Sequence, residues 1–235
     1  MKKYIIIICC VFSFFNGFAQ DQEEFQSLVS SIKKVYDSQE AYELEMTYTI
    51  YRATDPTTIQ ESHEGNYIKN GSNIYSKIGT VELVHVAETF LQINHDEKAI
   101  LYTKQQQQQN NALDPIQLET FTNHFESIQV QKKGNGWVCE LSKPKLLGEF
   151  SYGKIELYVD QNFQIRKQVL YPIQTIVFKT GDGEDTLDRS VIHIEFSSLQ
   201  PFKRNEVLQL STYVFTKNTI VQPAIALKNY QLIKA

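Results

Sequence analysis

Three features of the chain predict a mainly β protein with two helices, an α+β fold in which a curved antiparallel sheet wraps round the helices as an unclosed β-barrel. Lys154 to Tyr171, KIELYVDQNFQIRKQVLY, reads as two strands folded back on a polar turn. About ten or eleven segments with this two-residue period follow one another, separated by turn residues. Only two stretches carry a helical period instead, one at the start of the mature chain and one near its middle.

In the hairpin, Ile155, Leu157 and Val159 alternate with Glu156 and Tyr158. Asp160 to Asn162 supply turn chemistry, and Ile165, Val169 and Tyr171 repeat the pattern. A lone hairpin with one apolar face is marginal in water, so more strands or a helix must cover that face.

The elements follow in order. Met1-Lys2-Lys3, the apolar run Tyr4 to Phe15 and Gly17-Phe18-Ala19 read as a secretory signal peptide, residues 1–19, cleaved after Ala19. The run is shorter than the roughly 20 residues of a bilayer span, and nothing after residue 20 resembles one. Residues 20–235 are then expected as a single exported domain without a membrane span, placed in the periplasm of a two-membrane cell. The signal holds two of the 23 basic side chains and none of the 27 acidic ones, so the mature chain is acidic and nucleic acid is not an expected partner. Of three cysteines only Cys139 remains, which leaves no internal disulfide.

Asp21 and Glu24 suit the first turn of a helix in which Phe25, Leu28, Val29, Ile32, Val35 and Tyr36 form the apolar stripe. The period then becomes two. Tyr42, Leu44, Met46, Tyr48 and Ile50 point one way, against Glu43, Glu45, Thr47 and Thr49. Asp55-Pro56 ends that strand, and Asn70-Gly71 marks a hairpin between strands near Ile59–Lys69 and Asn73–Ile78. Short strands follow at Val81–Val86, Thr89–Ile93 and Ala99–Thr103. Gln105 to Gln109 form a polar tract that reads as a linker, and Asp114-Pro115 opens the second helix with Ile116, Leu118, Phe121 and Phe125 on its apolar side. Strands resume at Ser127–Gln131 and Gly136–Leu141, then the hairpin, then strands near Thr175–Lys179, Ser190–Phe196 and Val207–Phe215.

This order of elements, with Gly65-x-Tyr67-x-Lys69-x-Gly71 in the early strands and Leu157-Tyr158-Val159-Asp160 to Tyr171 in the late hairpin, resembles the LolA-like family of periplasmic outer-membrane lipoprotein carriers and lipid-binding proteins. The resemblance implies an unclosed β-barrel whose concave apolar face holds acyl chains, with the helices as its lid. Its lining is expected from Leu44, Met46, Tyr48, Ile50, Tyr67, Leu157, Val159, Val169 and Tyr171, and Arg52 is the candidate for an arginine that ties the lid. Burial of each methylene of a chain in such a cavity contributes about 0.8 kcal/mol, so an adaptable apolar lining suffices without a polar anchor.

Reaction chemistry is not signalled. His63-Glu64 lacks a second histidine four residues on, and Tyr67 stands there in a segment that reads as strand. The Gly181–Asp185 acids lack the alternation of a calcium loop. Cys139, between Trp137 and Leu141 on one face, reads as a buried thiol. A non-enzymatic protein is expected, with no catalytic residue, metal or cofactor. Its expected ligand is a lipid or acylated lipoprotein, and the rival expectation is an envelope protein that docks a protein partner on the same scaffold.

Overall fold

The computed structural model describes residues 21–104, 118, 124–145, 151–179, 184–202, 205–218 and 220–234. The expected signal peptide, the Gln105–Gln109 tract and Gly181–Gly183 lie outside the described residues, as does most of the expected second helix, of which Leu118, His124 and Phe125 are described. Strands make up 64% of what is described, so β structure dominates. In chain order they are β1 (Ala41–Arg52), β2 (Asp55–Asn70), β3 (Asn73–Ile78), β4 (Val81–Val86), β5 (Thr89–Asn94), β6 (Ala99–Lys104), β7 (Phe125–Lys133) and β8 (Gly136–Pro144). There follow β9 (Tyr152–Val159), β10 (Ile165–Pro172), β11 (Thr175–Lys179), β12 (Asp185–Phe196), β13 (Gln200–Pro201), β14 (Val214–Lys217), β15 (Ile220–Pro223) and β16 (Gln231–Lys234).

The sheet order is β16-β6-β5-β4-β3-β2-β1-β12-β10-β9-β8-β7, with β11 on β12, β13 on β1 and β14–β15 a separate hairpin. This corrects the expected fold class in two respects, the all-antiparallel pairing and the two lid helices. The sheet is mixed, because β16 runs parallel to β6, with Gln231 opposite Ala99 and Lys234 opposite Tyr102. Its ends, β16 and β7, are not paired to each other, so it is not closed into a barrel. One α-helix, α1 (residues 21–37), is described, not two helices forming a lid. The parallel pair has a physical origin: β16 reaches β6 through a long crossover, as parallel neighbours require. Within that crossover the expected strand Val207–Phe215 is replaced by 3₁₀ turns at Asn205–Leu208 and Leu210–Thr212, and extended backbone begins only at Val214.

The chain forms two compact units. The first takes α1, residues 49–61, and β7 to β11 with β12 up to Ile194. Phe25, Leu28, Val29, Ile32 and Tyr36 of α1 are buried, as the helical spacing requires. The Tyr36 hydroxyl accepts a hydrogen bond from the Ile165 backbone N–H at 3.1 Å, and Glu24 lies close enough to act electrostatically on Cys139. These contacts place α1 against the face formed by Cys139, Leu141, Ile155, Leu157 and Val159, all buried.

The second unit takes residues 39–48, β2 from Ser62, β3 to β6 and the chain from Glu195 onward. The hairpin forms where Asn70-Gly71 marks it, but Asn70 pairs with Asn73, so its two turn residues are Gly71, at φ +58°, and Ser72. Gly65 permits a close approach to β3, since a Cβ there would strike the Lys77 carbonyl oxygen.

Candidate functional site

In the second unit, β3 to β6 carry large apolar side chains on both faces. Cross-strand partners share a face, so the ladders Ile68–Tyr75, Tyr75–Val84, Val84–Leu91 and Ile93–Ile100 build one continuous apolar surface. The C-terminal segment fills this first face: Leu208, Tyr213 and Val214 are buried in the same cluster, with Val207, Leu210, Val221, Leu227 and Tyr230 packed around it. The opposite face carries Tyr67, Ile74, Val81, Leu83, Phe90 and Leu101 by the same register. There Tyr67 and Ile74 are buried, while Val81, Leu83, Phe90 and Leu101 are half-buried. An antiparallel sheet with one face on a core ordinarily turns polar side chains outward on the other. Here the row is mixed: Ser76 and Gln92 are the cross-strand partners of Leu83, and His85 and Thr103 those of Phe90, with Gln92 exposed and His85 and Thr103 half-buried.

A polar cluster ties the C-terminal segment to this unit. Glu82 Oε1 lies 2.8 Å from His95 Nε2 and 3.6 Å from Lys77 Nζ. His95 Nδ1 lies 2.8 Å from the Tyr230 hydroxyl, and the two rings meet edge to face. Burial, reinforced by Glu82, pushes the Tyr213 phenol upward.

In the first unit a second polar network occupies the face of β8 to β10 opposite α1. Glu156 accepts hydrogen bonds from Lys154 Nζ (2.8 Å), the Tyr171 hydroxyl (2.9 Å) and the Tyr158 hydroxyl (2.9 Å). Lys154 also stands 4.1 Å from the Tyr171 ring centroid and 3.7 Å from Glu140. Burial would raise the Glu156 carboxyl, but the three donors outweigh it and hold it below the usual range. Burial and the hydrogen bond to Glu156 push Tyr158 up to about 12.

The expected lining residues divide between the units. Leu44, Met46, Tyr48 and Tyr67 belong to the second. The rings of Tyr42 and Tyr67 lie 6.1 Å apart, and Thr47 Oγ1 reaches Glu64 at 3.4 Å on the other side, which sets Tyr42, Leu44, Met46 and Tyr48 on the Tyr67 face. Leu44, Met46 and Tyr67 are fully packed there, and Tyr48 is half-buried. Ile50, Arg52, Leu157, Val159, Val169 and Tyr171 belong to the first unit. Leu157 and Val159 are buried on the α1 side, whereas Val169 faces Glu156 and Tyr171 faces Lys154 on the opposite side. A bulge at Arg166 causes the split: Ile165 pairs with Val159, but Lys167 already pairs with Tyr158, and one inserted residue reverses every side chain beyond it. Arg52, expected to tie a lid, instead reaches Asp55 at 3.4 Å within the β1–β2 turn. That turn is fastened by Asp188, which accepts from the Thr54 hydroxyl at 2.6 Å and the Thr54 N–H at 3.1 Å.

Two features of this geometry went unforeseen. The Glu156 network combines Lys154, Glu156 and Tyr158 at alternate positions of one strand, a pattern visible in the sequence but read only as the wet face of a hairpin. The Glu82–His95–Tyr230 cluster joins residues far apart in the chain and left no local signal.

No protein-family model matches the chain, and no curated protein matches it. Among the described residues no helix is long and apolar enough to cross a membrane. Solved structures to which this chain is similar include a DUF1329 family protein from Desulfovibrio piger, 14% identical over 83% of this chain and 98% of that one, with a TM-score of 0.40. A protein from Thermus thermophilus is 9% identical over 90% and 99%, with a TM-score of 0.47. A LolA superfamily protein from Nitrosomonas europaea, 12% identical over 78% of this chain and 96% of that one at a TM-score of 0.38, is also among the structures this chain is similar to.

Proposed function

We propose that the protein is an exported, non-enzymatic binding protein of the periplasm whose second-unit sheet takes up an acyl chain of a lipid or acylated lipoprotein. The observation that carries this reading is a second set of apolar side chains. The chain's own C-terminal segment already supplies the cover for Ile68, Tyr75, Val84 and Leu91, yet Val81, Leu83, Phe90 and Leu101 stand half-buried on the reverse side, among Ser76, His85, Gln92 and Thr103. An acyl chain laid along that strip gains about 0.8 kcal/mol for each methylene it withdraws from water. The signal-like residues 1–19 and the family resemblance of the element order support the compartment and the ligand class.

The test is native mass spectrometry, with lipid extraction, of the mature protein purified from its own cell envelope. Acyl species at near-stoichiometric amounts, lost in the Leu83→Lys/Leu101→Lys double variant with unchanged circular dichroism, are the expected result. A clean apo mass would sink the reading.

One observation favours the docking alternative. Val177 and Leu187 face each other across β11–β12 at 58% and 71% exposure, and Ile176 beside them is 42% exposed. β11 pairs with β12 alone among the described strands, so its other edge can accept an extended segment of an envelope protein. Capture of such a partner by the wild type but not by Leu187→Asp, from a protein with an apo mass, would replace the acyl reading with this one.

A further inference from the structure

At the turn end of the first unit, the β7–β8 and β9–β10 hairpins enclose a cleft of about 390 Å³ lined by Lys133, Asn135, Trp137, Asp160, Asn162 and Arg166, among others. From this geometry we propose that the cleft is a binding site for an acidic saccharide, separate from the acyl-binding strip and independent of it.

Three observations support the assignment. The first is an aromatic platform. Phe163 stacks on Trp137 with centroids 5.0 Å apart and planes at 20°, and the indole still lines the cleft. Such a surface suits the apolar C–H face of a pyranose, as a large amphipathic ring at a wet boundary does. The second is backbone strain directed at that platform. Phe163 adopts φ +58°, a left-handed conformation that bulky side chains avoid and that Asn162 beside it would accept more readily. Asp160 holds the turn in place, its Oδ1 accepting from the N–H groups of Asn162 (2.8 Å) and Gln164 (3.0 Å). Close packing of the hairpins adds to this, since a Cβ on Gly136 would meet the Val159 carbonyl oxygen. Strain of this kind persists only where the surroundings over-determine it.

The third is the polar rim. The side-chain amides of Asn135 and Asn162 suit ring hydroxyls, while Lys133 and Arg166 bring two cations against the single carboxylate of Asp160. Arg166 Nε stands 4.0 Å from Asp160 Oδ2, and two cations to one carboxylate give the rim a net positive character that selects a carboxylate-bearing sugar. A cleft of this size falls within the range of small-ligand sites and holds one or two sugar rings.

Trp137 is the sole tryptophan of the chain, so its emission reports this cleft directly. The probe is a hyaluronan tetrasaccharide, which alternates glucuronate with N-acetylglucosamine. Its neutral control is chitotetraose, and its anion control is inorganic phosphate. The expected result is a saturable change in Trp137 emission with the acidic tetrasaccharide, weakened at least about threefold by Lys133→Ala or Arg166→Ala and by added salt. Lys133 lies exposed beside the β7–β8 turn, so its replacement leaves the fold intact and keeps the test decisive if the Arg166 variant unfolds. Equal binding of chitotetraose would overturn the acidic specificity. The same emission change with phosphate alone would overturn the saccharide assignment, and no change with any probe would leave the Trp137–Phe163 stack a purely structural clasp. Loss of the acyl ligand in the Leu83→Lys/Leu101→Lys variant leaves this titration unaffected, so the two proposals stand or fall separately.

Discussion

Glu82 and His95 meet at 2.8 Å, Oε1 to Nε2, with the carboxylate side chain 12% exposed and the imidazole 30%. The other imidazole nitrogen holds the Tyr230 hydroxyl, so a residue of the sheet corner and a residue of the C-terminal segment are joined through one ring. The joint stands directly before β16, whose Gln231 N–H donates to Lys98 O at 2.8 Å.

Tyr230→Phe removes the hydroxyl while keeping the ring against His95. The expected cost is about 1 kcal/mol, that of one side-chain hydrogen bond. Because β16 has four residues at the sheet edge, the loss falls there first. Amide exchange of Gln231 and Ile233, whose N–H groups face β6, is expected to quicken several-fold while Ile155 and Leu157 of the first unit stay unchanged. Uniform acceleration through both units would show that the C-terminal segment is not a separately opening element.

Glu156 gives a pH dependence with a definite sign. Its folded-state carboxyl is depressed below its ordinary value of 4.5, so its contribution is present above that value and disappears as pH falls through the lower folded pKa. Tyr158 works from the other end. Its folded pKa is raised to about 12 from 10.0, so its stabilisation is complete below pH 10 and lost as pH rises toward 12. Urea unfolding across pH 2–11 is therefore expected to show stability falling at both ends. Glu156→Gln flattens the acid limb and costs about 1–2 kcal/mol at neutral pH, discounted because the network is partly exposed. An unchanged acid limb in that variant would assign the limb to other carboxylates.

Much of the fold was legible because its strands alternate cleanly. The segments read at Val81–Val86, Thr89–Ile93 and Ala99–Thr103 coincide with β4, β5 and β6 to within a residue, and Asn70-Gly71 marks the β2–β3 turn. Facing was less legible. Thr49, read on the wet side of β1 with Glu43 and Glu45, is buried, because β1 loses its one-sided pattern after Met46. The bulge at Arg166 carries no glycine or proline to announce it, so the hairpin reads as regular and the parity of Val169 and Tyr171 is inverted. The C-terminal crossover misled for a different reason. Val207, Leu208 and Leu210 look strand-like in composition, but they cover a sheet face from 3₁₀ turns, a choice made by tertiary packing.

Two glycines separate conformational from steric need. Gly71 has open space around its Cβ position but a φ of +58°, so Gly71→Ala costs about 1 kcal/mol through backbone strain alone, and Gly71→Asn restores most of it. Gly65 has no positive φ, but a Cβ there would collide with the backbone carbonyl of Lys77. Gly65→Ala must push β2 from β3, at a cost of roughly 1–3 kcal/mol that Asn cannot relieve. Denaturation midpoints of the four variants, with Gly65→Asn as the fourth, decide the matter. Recovery by asparagine at both sites, or at neither, would contradict the distinction.

Cys139 is fully buried opposite Leu157 and Val130, and burial, with a smaller contribution from Glu24, pushes its thiol up to about 12. Thiolate, the reactive form, is therefore scarce at pH 8, and access requires opening of the α1-covered face. In an oxidising compartment this keeps the one cysteine of residues 20–235 out of intermolecular disulfides. A chromogenic disulfide reagent at pH 8 is expected to leave the native protein unlabelled and to label one thiol per chain in urea. Cys139→Ser, which buries a hydroxyl among apolar side chains, is expected to lose about 1–3 kcal/mol, while Cys139→Ala loses less. Rapid labelling of the native protein would mean that α1 lifts from the sheet far more often than its buried stripe of Phe25, Leu28, Ile32 and Tyr36 implies.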